Sequence, residues 1–350
     1  MEKQKVIISE QLEQVLSEAI NVCKADRMFI LTDENTQQLC SPVINNYKCV
    51  QGATTITIPA GDTNKTLESI SLVWSKLQKQ GATRHSLLIN LGGGMVTDLG
   101  GFAASTFKRG IPYINIPTTL LSMVDASVGG KTGINFGGLK NEIGVFNNAN
   151  CVILDTVFLK TLDHENILSG YAEMLKHGLI STEAHWTKLL NFDINEPNLP
   201  ELGCMVAESV QVKERIVEED PTEKGIRKAL NLGHTIGHAF ESLSLQRKPI
   251  LHGYAVAYGL VCELYLSVVK TGFPIEKMRQ TVHFIHEHYG RMHITCEDYP
   301  TLLELMTHDK KNIGSNINFT LLGGIGDIRI NQTATKAEIE EALDFYREGC

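Results

Sequence analysis

LLINLGGGMVTDLGGF, residues 87–102, decides how the first half of this chain is read. It opens as an unbroken apolar run of strand type, passes through Gly92, Gly93 and Gly94, and continues with helical spacing from near Val96. A glycine turn between a strand and a helix lets backbone N–H groups and the positive end of the helix dipole meet a pyrophosphate. The spacing is not the strict G-x-G-x-x-G of dinucleotide sites, so a plain tight turn is the competing reading. Asp98, early in the helix, caps it in that plainer reading.

Around this stretch, Phe29–Leu31, Thr55–Ile58, Ser86–Leu91, Tyr113–Ile116 and Cys151–Leu154 are short apolar runs that alternate with helical stretches. That rhythm predicts βα units around a largely parallel sheet. From about Leu162 the period changes to 3.6, over Glu165–Ile180, Glu201–Glu219, Lys228–Leu245 and His252–Lys270. Residues 316–323 read as a short strand or hairpin element, and Lys336–Arg347 as a closing amphipathic helix with Thr335 as its N-cap. The fold class expected is α/β: a Rossmann-like nucleotide-binding domain over residues 1–160, then a mainly α-helical domain over 161–350.

Bulk properties narrow the function. The 350 residues carry a net charge of −8, which argues against nucleic acid or an anionic membrane as the main partner, since both need a basic face. The opening MEKQKVIISEQ has charges where a signal peptide needs an apolar run. Ala255–Val269, the longest apolar stretch, is short for a membrane span and contains Glu263, so it reads as a buried helix. Eight scattered cysteines without a CxxC read as reduced thiols. A soluble cytoplasmic protein is the expectation, with an anionic small molecule still open as a partner through local lysines.

A second glycine pair, Gly129 and Gly130, precedes Lys131 and Thr132, but the Walker spacing requires glycine where the chain has Asp125. An ATP-hydrolysing loop is thereby disfavoured, although Lys131 can still neutralise an anion. Lys140, Asn141 and Arg109 add donors suited to phosphate or carboxylate, and each singly also suits a solvated surface. In NLGHTIGH, residues 231–238, two imidazoles stand four apart on one helix face. Thr235 occupies the place of the glutamate base in the HExxH of zinc proteases, so peptide hydrolysis lacks its key residue. Gly233 and Gly237 weaken the predicted helix, which suggests a close approach to its backbone. Glu173 in GYAEMLKHG and His252 in LHGYAVAYG are further ligand candidates. One carboxylate with two imidazoles would make an open three-ligand site for a divalent ion, and spacing alone does not say which two histidines serve. His283, His286 and His288 read as a solvated helix face.

Taken together, GGGMVTDLGGFAASTFKRG, IPTTLLSMVDASVGGKTGIN, LKNEIG, FLKTL, GYAEMLKHG, NLGHTIGHAFE, LHGYAVAYG and HDKKNIG resemble, in this order, the 3-dehydroquinate synthase family. The resemblance runs from about Phe29 to Gly323 and implies the dehydroquinate synthase-like fold. It implies NAD+ contacts from Asp33, Asn35, Asp62, Lys65, Gly93, Gly94, Met95, Asp98, Thr118, Thr119, Lys131, Lys140, Phe158, Leu159, Lys160 and Thr161. It implies Zn2+ or Co2+ on Glu173, His234 and His252, and so moves His238 to the substrate phosphate. Asn141, Lys176, Asn231 and Lys310, or its neighbour Lys311, are implied at the phosphate end, with Arg109 reaching in from a neighbouring subunit. Lys131, Lys213 and Arg227 are implied at the carboxylate, and Asp125 in the polar network around the sugar. Asp62 stands where the family commonly has glutamate, Thr97 where it often has glycine, and Tyr254 where glutamate is frequent.

The implied reaction converts 3-deoxy-arabino-heptulosonate 7-phosphate to 3-dehydroquinate and phosphate. Its steps are transient oxidation by NAD+, β-elimination, reduction, ring opening and intramolecular aldol closure. The implied assembly is a homodimer. The nearest rivals are a sister cyclase, such as 2-deoxy-scyllo-inosose synthase, and a metal-dependent polyol dehydrogenase. Lys213, Arg227, Asn231 and His238 favour the dehydroquinate enzyme. A structural zinc protein is disfavoured, because such sites are normally closed by four Cys or His ligands.

Overall fold

The computed structural model describes residues 4–307 and 317–349. Contacts divide the chain into two units, Met1–Asp163 with Leu199–Val210, and His164–Asn198 with Gln211–Cys350.

The first unit is organised by a parallel sheet. Its strands are β1 (Val6–Ile8), β2 (Met28–Asp33), β3 (Thr54–Ile58), β4 (Leu87–Gly92) and β5 (Tyr113–Pro117). After a separate hairpin of β6 (Lys131–Phe136) and β7 (Leu139–Phe146), β8 (Cys151–Leu154) completes it. The order is β1-β8-β5-β4-β2-β3, with every pairing parallel. All residues of β4, β5 and β8 are buried. Strands covered on both faces lose the polar alternation of a half-exposed sheet, which is why these read as unbroken apolar runs. Helices α1 (Leu12–Cys23), α2 (Glu34–Leu39), α3 (Ser41–Ile44), α4 (Leu67–Lys79) and α5 (Gly94–Thr106) accompany the strands. At Gly100, α5 lies so close to β4 that a Cβ there would stand 2.0 Å from Asn90 Oδ1.

From β2 the chain moves outward to β3, whereas from β4 it moves to β5 on the opposite side. The carboxyl ends of β2 and β4 therefore flank the reversal of winding, the place where open α/β sheets bind ligands.

Sequence and structure differ in four places here, the first being β1, which was not among the expected strands. Helix α5 begins at Gly94, two residues before the expected start, with Gly93 as its N-cap. Asp98 does not cap it; its carboxylate pairs with Lys65. The β6–β7 hairpin was not among the expected elements. Its signal was Gly137-Gly138, whose φ values of +59° and +82° suit a two-residue hairpin turn.

The second unit holds α6 (His164–Leu179), α7 (Glu183–Asn191), the later part of α8 (Leu199–Glu219), α9 (His234–Ser244), α10 (His252–Thr271), α11 (Ile275–Tyr289) and α12 (Tyr299–Thr307). It ends with the antiparallel pair β9 (Asn318–Gly324) and β10 (Asp327–Thr333), then α13 (Lys336–Glu348). Helix α10 packs against α6, α9, α11, α13 and β9. It is long and apolar enough to cross a membrane, but most of it is buried within the protein, which marks a core helix. The helix expected over Lys228–Leu245 is interrupted: a 3-10 turn covers Ile226–Asn231, and Gly233, at φ +79°, separates it from α9. Thr335 caps α13 in a capping box with Glu338. Of the three histidines on α11 only His283 is well exposed; His288 packs on Phe284, and burial, Arg291 and His283 hold His286 down to about 4. The seven cysteines among the described residues are all free.

Candidate metal centre and nucleotide-binding strand ends

In the second unit, α6, α9 and α10 bring Glu173, His234 and His252 together. Glu173 is fully buried, and its Oε2 accepts from the equally buried Lys176 one turn along α6. Its Oε1 is buried without a hydrogen-bond partner. That oxygen lies 3.4 Å from His234 Nε2 and 3.5 Å from His252 Nε2. With metal–ligand bonds of about 2.0–2.1 Å, two ligand atoms of a tetrahedral ion stand about 3.3–3.4 Å apart. The observed spacings fit a divalent cation among these three atoms, with a coordination position left for substrate or water.

The other ring nitrogens set the tautomers. His234 Nδ1 lies 3.1 Å from the Leu232 carbonyl oxygen, and His252 Nδ1 lies 3.2 Å from Glu241 Oε2. Each of those oxygens accepts a hydrogen bond from Nδ1–H, so in the neutral rings that a cation requires both Nε2 lone pairs face Glu173. Electrostatics follow the same plan. Burial pushes the Glu173 carboxyl up, but Lys176 and His234 outweigh it and hold it well below the usual range. Burial pushes His252 down, yet the Glu173 and Glu241 carboxylates beside its two ring nitrogens raise it to about 10.

His238 stands with its ring centroid 5.3 Å from that of His234 and 5.9 Å from that of His252. It forms a second ligand-competent group with Glu241 and His252. Thr235, in the protease-glutamate position, donates instead to the Asn318 carbonyl and ties α9 to β9. The close approach that Gly237 suggested is made by α10: a Cβ at Gly237 would lie 2.8 Å from the Ala255 carbonyl oxygen. Gly233 lies outside α9, as its cap.

Lys213 is buried on α8, and the buried Arg227 donates to the Pro221 carbonyl at 2.7 Å. Asn231 donates to Glu223 at 3.0 Å. Lys310 lies outside the described residues. Glu241 and Glu263, for which the sequence suggested no role at the site, contact the amino ends of α10 and α9.

In the first unit, the residues implied for the nucleotide gather by topology. Asp33 ends β2 and Asn35 follows it, Asp62 and Lys65 follow β3, Gly93 to Met95 follow β4, Thr118 and Thr119 follow β5, and Phe158 to Thr161 follow β8. All five are carboxyl ends of parallel strands, and so lie on one edge of the sheet. Gly93 caps α5 without a side chain, so the first-turn N–H groups have no cap and remain available to an anion. A Cβ on Gly93 would stand 3.1 Å from Thr119, inside that same crevice. These features fit the pyrophosphate of a dinucleotide.

Lys65 is buried, with its ammonium between Asp98 Oδ2 and Asn141 Oδ1. Asp62 accepts from Asn135 and pairs with Lys140 at 3.5 Å, which joins this loop to the β6–β7 hairpin. Asp33 is committed to capping α2, its Oδ1 accepting from Thr36 N at 2.7 Å. Asn35 and Lys131 are exposed, and Asp125 stands in a π-helical turn after β5. Arg109 is exposed beyond the far end of α5, at the amino edge of the sheet, where it lines a surface depression with Thr83, Arg84 and Lys108.

Residues 55–169 match the family model described as 3-dehydroquinate synthase N-terminal, and residues 170–312 match 3-dehydroquinate synthase C-terminal. A 3-dehydroquinate synthase of Parabacteroides distasonis is 58% identical over 349 residues, 99% of each chain. A solved 2-deoxy-scyllo-inosose synthase, complexed with carbaglucose-6-phosphate, NAD+ and Co2+, superposes with TM-score 0.86 at 22% identity, covering 99% of this chain and 96% of its own. A 2-epi-5-epi-valiolone synthase from Streptomyces hygroscopicus subsp. jinggangensis, with NAD+ and Zn2+ bound, gives 0.83 at 25%, covering 99% and 97%. The fold is that of the sugar-phosphate cyclases. Within that class, identity over the full length decides the branch, and the chain belongs to the 3-dehydroquinate synthase family.

Proposed function

We propose that this chain is a carbon–oxygen lyase that converts 3-deoxy-arabino-heptulosonate 7-phosphate to 3-dehydroquinate and inorganic phosphate, a step of the shikimate pathway towards aromatic amino acids. The observation that carries the reading is the buried Glu173 oxygen without a hydrogen-bond partner, at metal-edge distance from two imidazoles, in a chain of this family. Residues 1–160 serve as the NAD-binding domain and 161–350 as the metal- and substrate-binding domain. When bound, NAD+ supplies a transient hydride acceptor, and the divalent cation, zinc or cobalt, supplies a Lewis acid for the alcohol oxygen.

The chain's own groups bind and orient. Glu173, His234 and His252 hold the cation, and the ammonium of Lys176 offsets the buried carboxylate. Asp33, Asn35, Asp62, Lys65, Gly93, Gly94, Met95, Asp98, Thr118, Thr119 and the segment Phe158 to Thr161 receive NAD+, with Lys131 and Lys140. His238, Asn141, Lys176, Asn231 and Lys310 bind the phosphate end, and Lys131, Lys213 and Arg227 the carboxylate. Asp125 joins the polar network around the sugar. Fixing both ends of the substrate brings its reacting atoms into proximity, the main demand of the elimination and aldol steps.

The chain forms a homodimer. Phe136, Leu139 and Phe146 of the β6–β7 hairpin are each about half exposed, and an apolar hairpin of this kind suits burial against a second copy. Arg109 reaches the neighbouring subunit's substrate. The compartment is the cytoplasm, consistent with free cysteines.

The test is to incubate the protein with the heptulosonate phosphate, NAD+ and zinc or cobalt, and to follow phosphate and carbocycle by NMR beside an EDTA-treated control. Both products appear together, without accumulating NADH, only with metal. Turnover of glucose 6-phosphate or sedoheptulose 7-phosphate instead would move the chain to a sister cyclase. Light scattering tests the dimer.

A further inference from the structure

We infer that Glu241 and Glu263 are positioning residues of the metal centre, a reciprocal clasp in which each histidine-bearing helix gives a buried carboxylate to the amino end of the other. This rests on the reading of Glu173, His234 and His252 as the metal ligands. Glu263, on α10, is fully buried. Its Oε2 accepts from Gly233 N at 2.6 Å, and its Oε1 accepts from Thr235 N at 3.0 Å and Ile236 N at 3.1 Å. These amides flank His234, the first residue of α9, and the cap residue Gly233 has no side chain to serve them. Glu263 therefore caps α9 from outside, with its charge on the positive end of the helix dipole. Glu241, on α9, is 8% exposed, and its Oε2 lies 3.2 Å from Nδ1 of His252, the first residue of α10.

Apolar side chains alone would pack two helices, and a buried carboxylate is costly unless its hydrogen bonds are charge-assisted and well aligned. What the two carboxylates add is directional. Glu263 fixes the axial position of the α9 amino end relative to α10, and Glu241 fixes the rotation of the His252 ring. Metal sites tolerate departures of only about 0.2 Å in ligand distance, so both settings matter to the cation.

The experiment compares the full chain with E241Q and E263Q, by Co2+ competition against a chelator, the visible spectrum of bound Co2+, and metal-free thermal unfolding. Glutamine fills the same space but lacks the charge, and in E263Q an amide donor replaces one acceptor. Each variant is expected to weaken Co2+ binding about 10- to 100-fold and to shift the Co2+ bands. If E263Q does not fold, Glu263→Asp, which keeps the charge but shortens the reach, takes its place with the same expectation. Folded variants with wild-type Co2+ affinity and spectrum, even if they melt earlier, would overturn the clasp and leave the two glutamates as fold elements only. A wild-type protein that binds no Co2+ would overturn the metal centre itself, and the clasp with it.

Discussion

Replacing Gly259 with alanine tests whether the metal centre depends on backbone contact between α9 and α10. A Cβ at position 259 would stand 1.9 Å from the Gly233 carbonyl oxygen and 2.7 Å from Gly237 N. Ordinary contact begins near 3.4 Å, so the helices would have to part locally by about 1.5 Å. Alanine is the better helix former, by about 1 kcal/mol. Against this, overpacking costs about 1–3 kcal/mol or more, and backbone atoms cannot turn aside as a side chain can. The expected net is a loss of up to about 2 kcal/mol, a fall of a few degrees in the melting temperature of the metal-free protein. The same displacement moves His234 against His252 by far more than the few tenths of an ångström that a metal site accepts, so Co2+ affinity should drop at least about tenfold. Circular dichroism melts and Co2+ titration read the two effects separately. A variant that melts at or above the wild type and binds Co2+ equally well would mean that helix propensity wins and that the helices are not in backbone contact at Gly259.

Glu173→Gln removes the anionic ligand and leaves the Lys176 ammonium buried beside an amide; Co2+ affinity should fall at least about 100-fold and phosphate release should vanish, as chelator competition and a phosphate assay would report. In the metal-free protein, His252 keeps its proton up to about 10, whereas the unfolded histidine releases it near 6.5. Its contribution to stability is therefore complete below 6.5 and is lost as the pH rises through 10. The melting temperature of EDTA-treated protein should decline from pH 7 to 10, and saturation with zinc, which takes the place of that proton, should remove this part of the slope. Lys65→Met strips the cation from Asp98 and the donor from Asn141; about 3 kcal/mol of stability and most NAD+ affinity should be lost, to be checked by urea unfolding and calorimetric titration. Wild-type NAD+ binding by that variant would remove Lys65 from the nucleotide site.

Much of this protein is legible without coordinates where one local signal dominates. The buried strands read as apolar runs because both faces of the sheet are covered, and Thr335 read as a cap because Ser, Thr, Asp and Asn satisfy the first-turn amides. The motifs named the family because their order and separation are properties of the chain itself. Asp98, by contrast, looked like a cap and is the partner of a lysine 33 residues away, which no local pattern encodes. The interruption at Gly233 was hidden because the helical period of 228–245 continues through it, and only Glu263, 30 residues on, supplies the acceptors that let α9 start there. Likewise, the sequence by itself determined the parallel sheet, the helical second half and the chemistry of the candidate ligands, since composition and period act over neighbouring residues. Tertiary structure alone decided that the Glu173 oxygen faces His234 and His252, with Glu241 behind the latter, because ligand geometry is set by helices meeting in space and not by spacing along the chain.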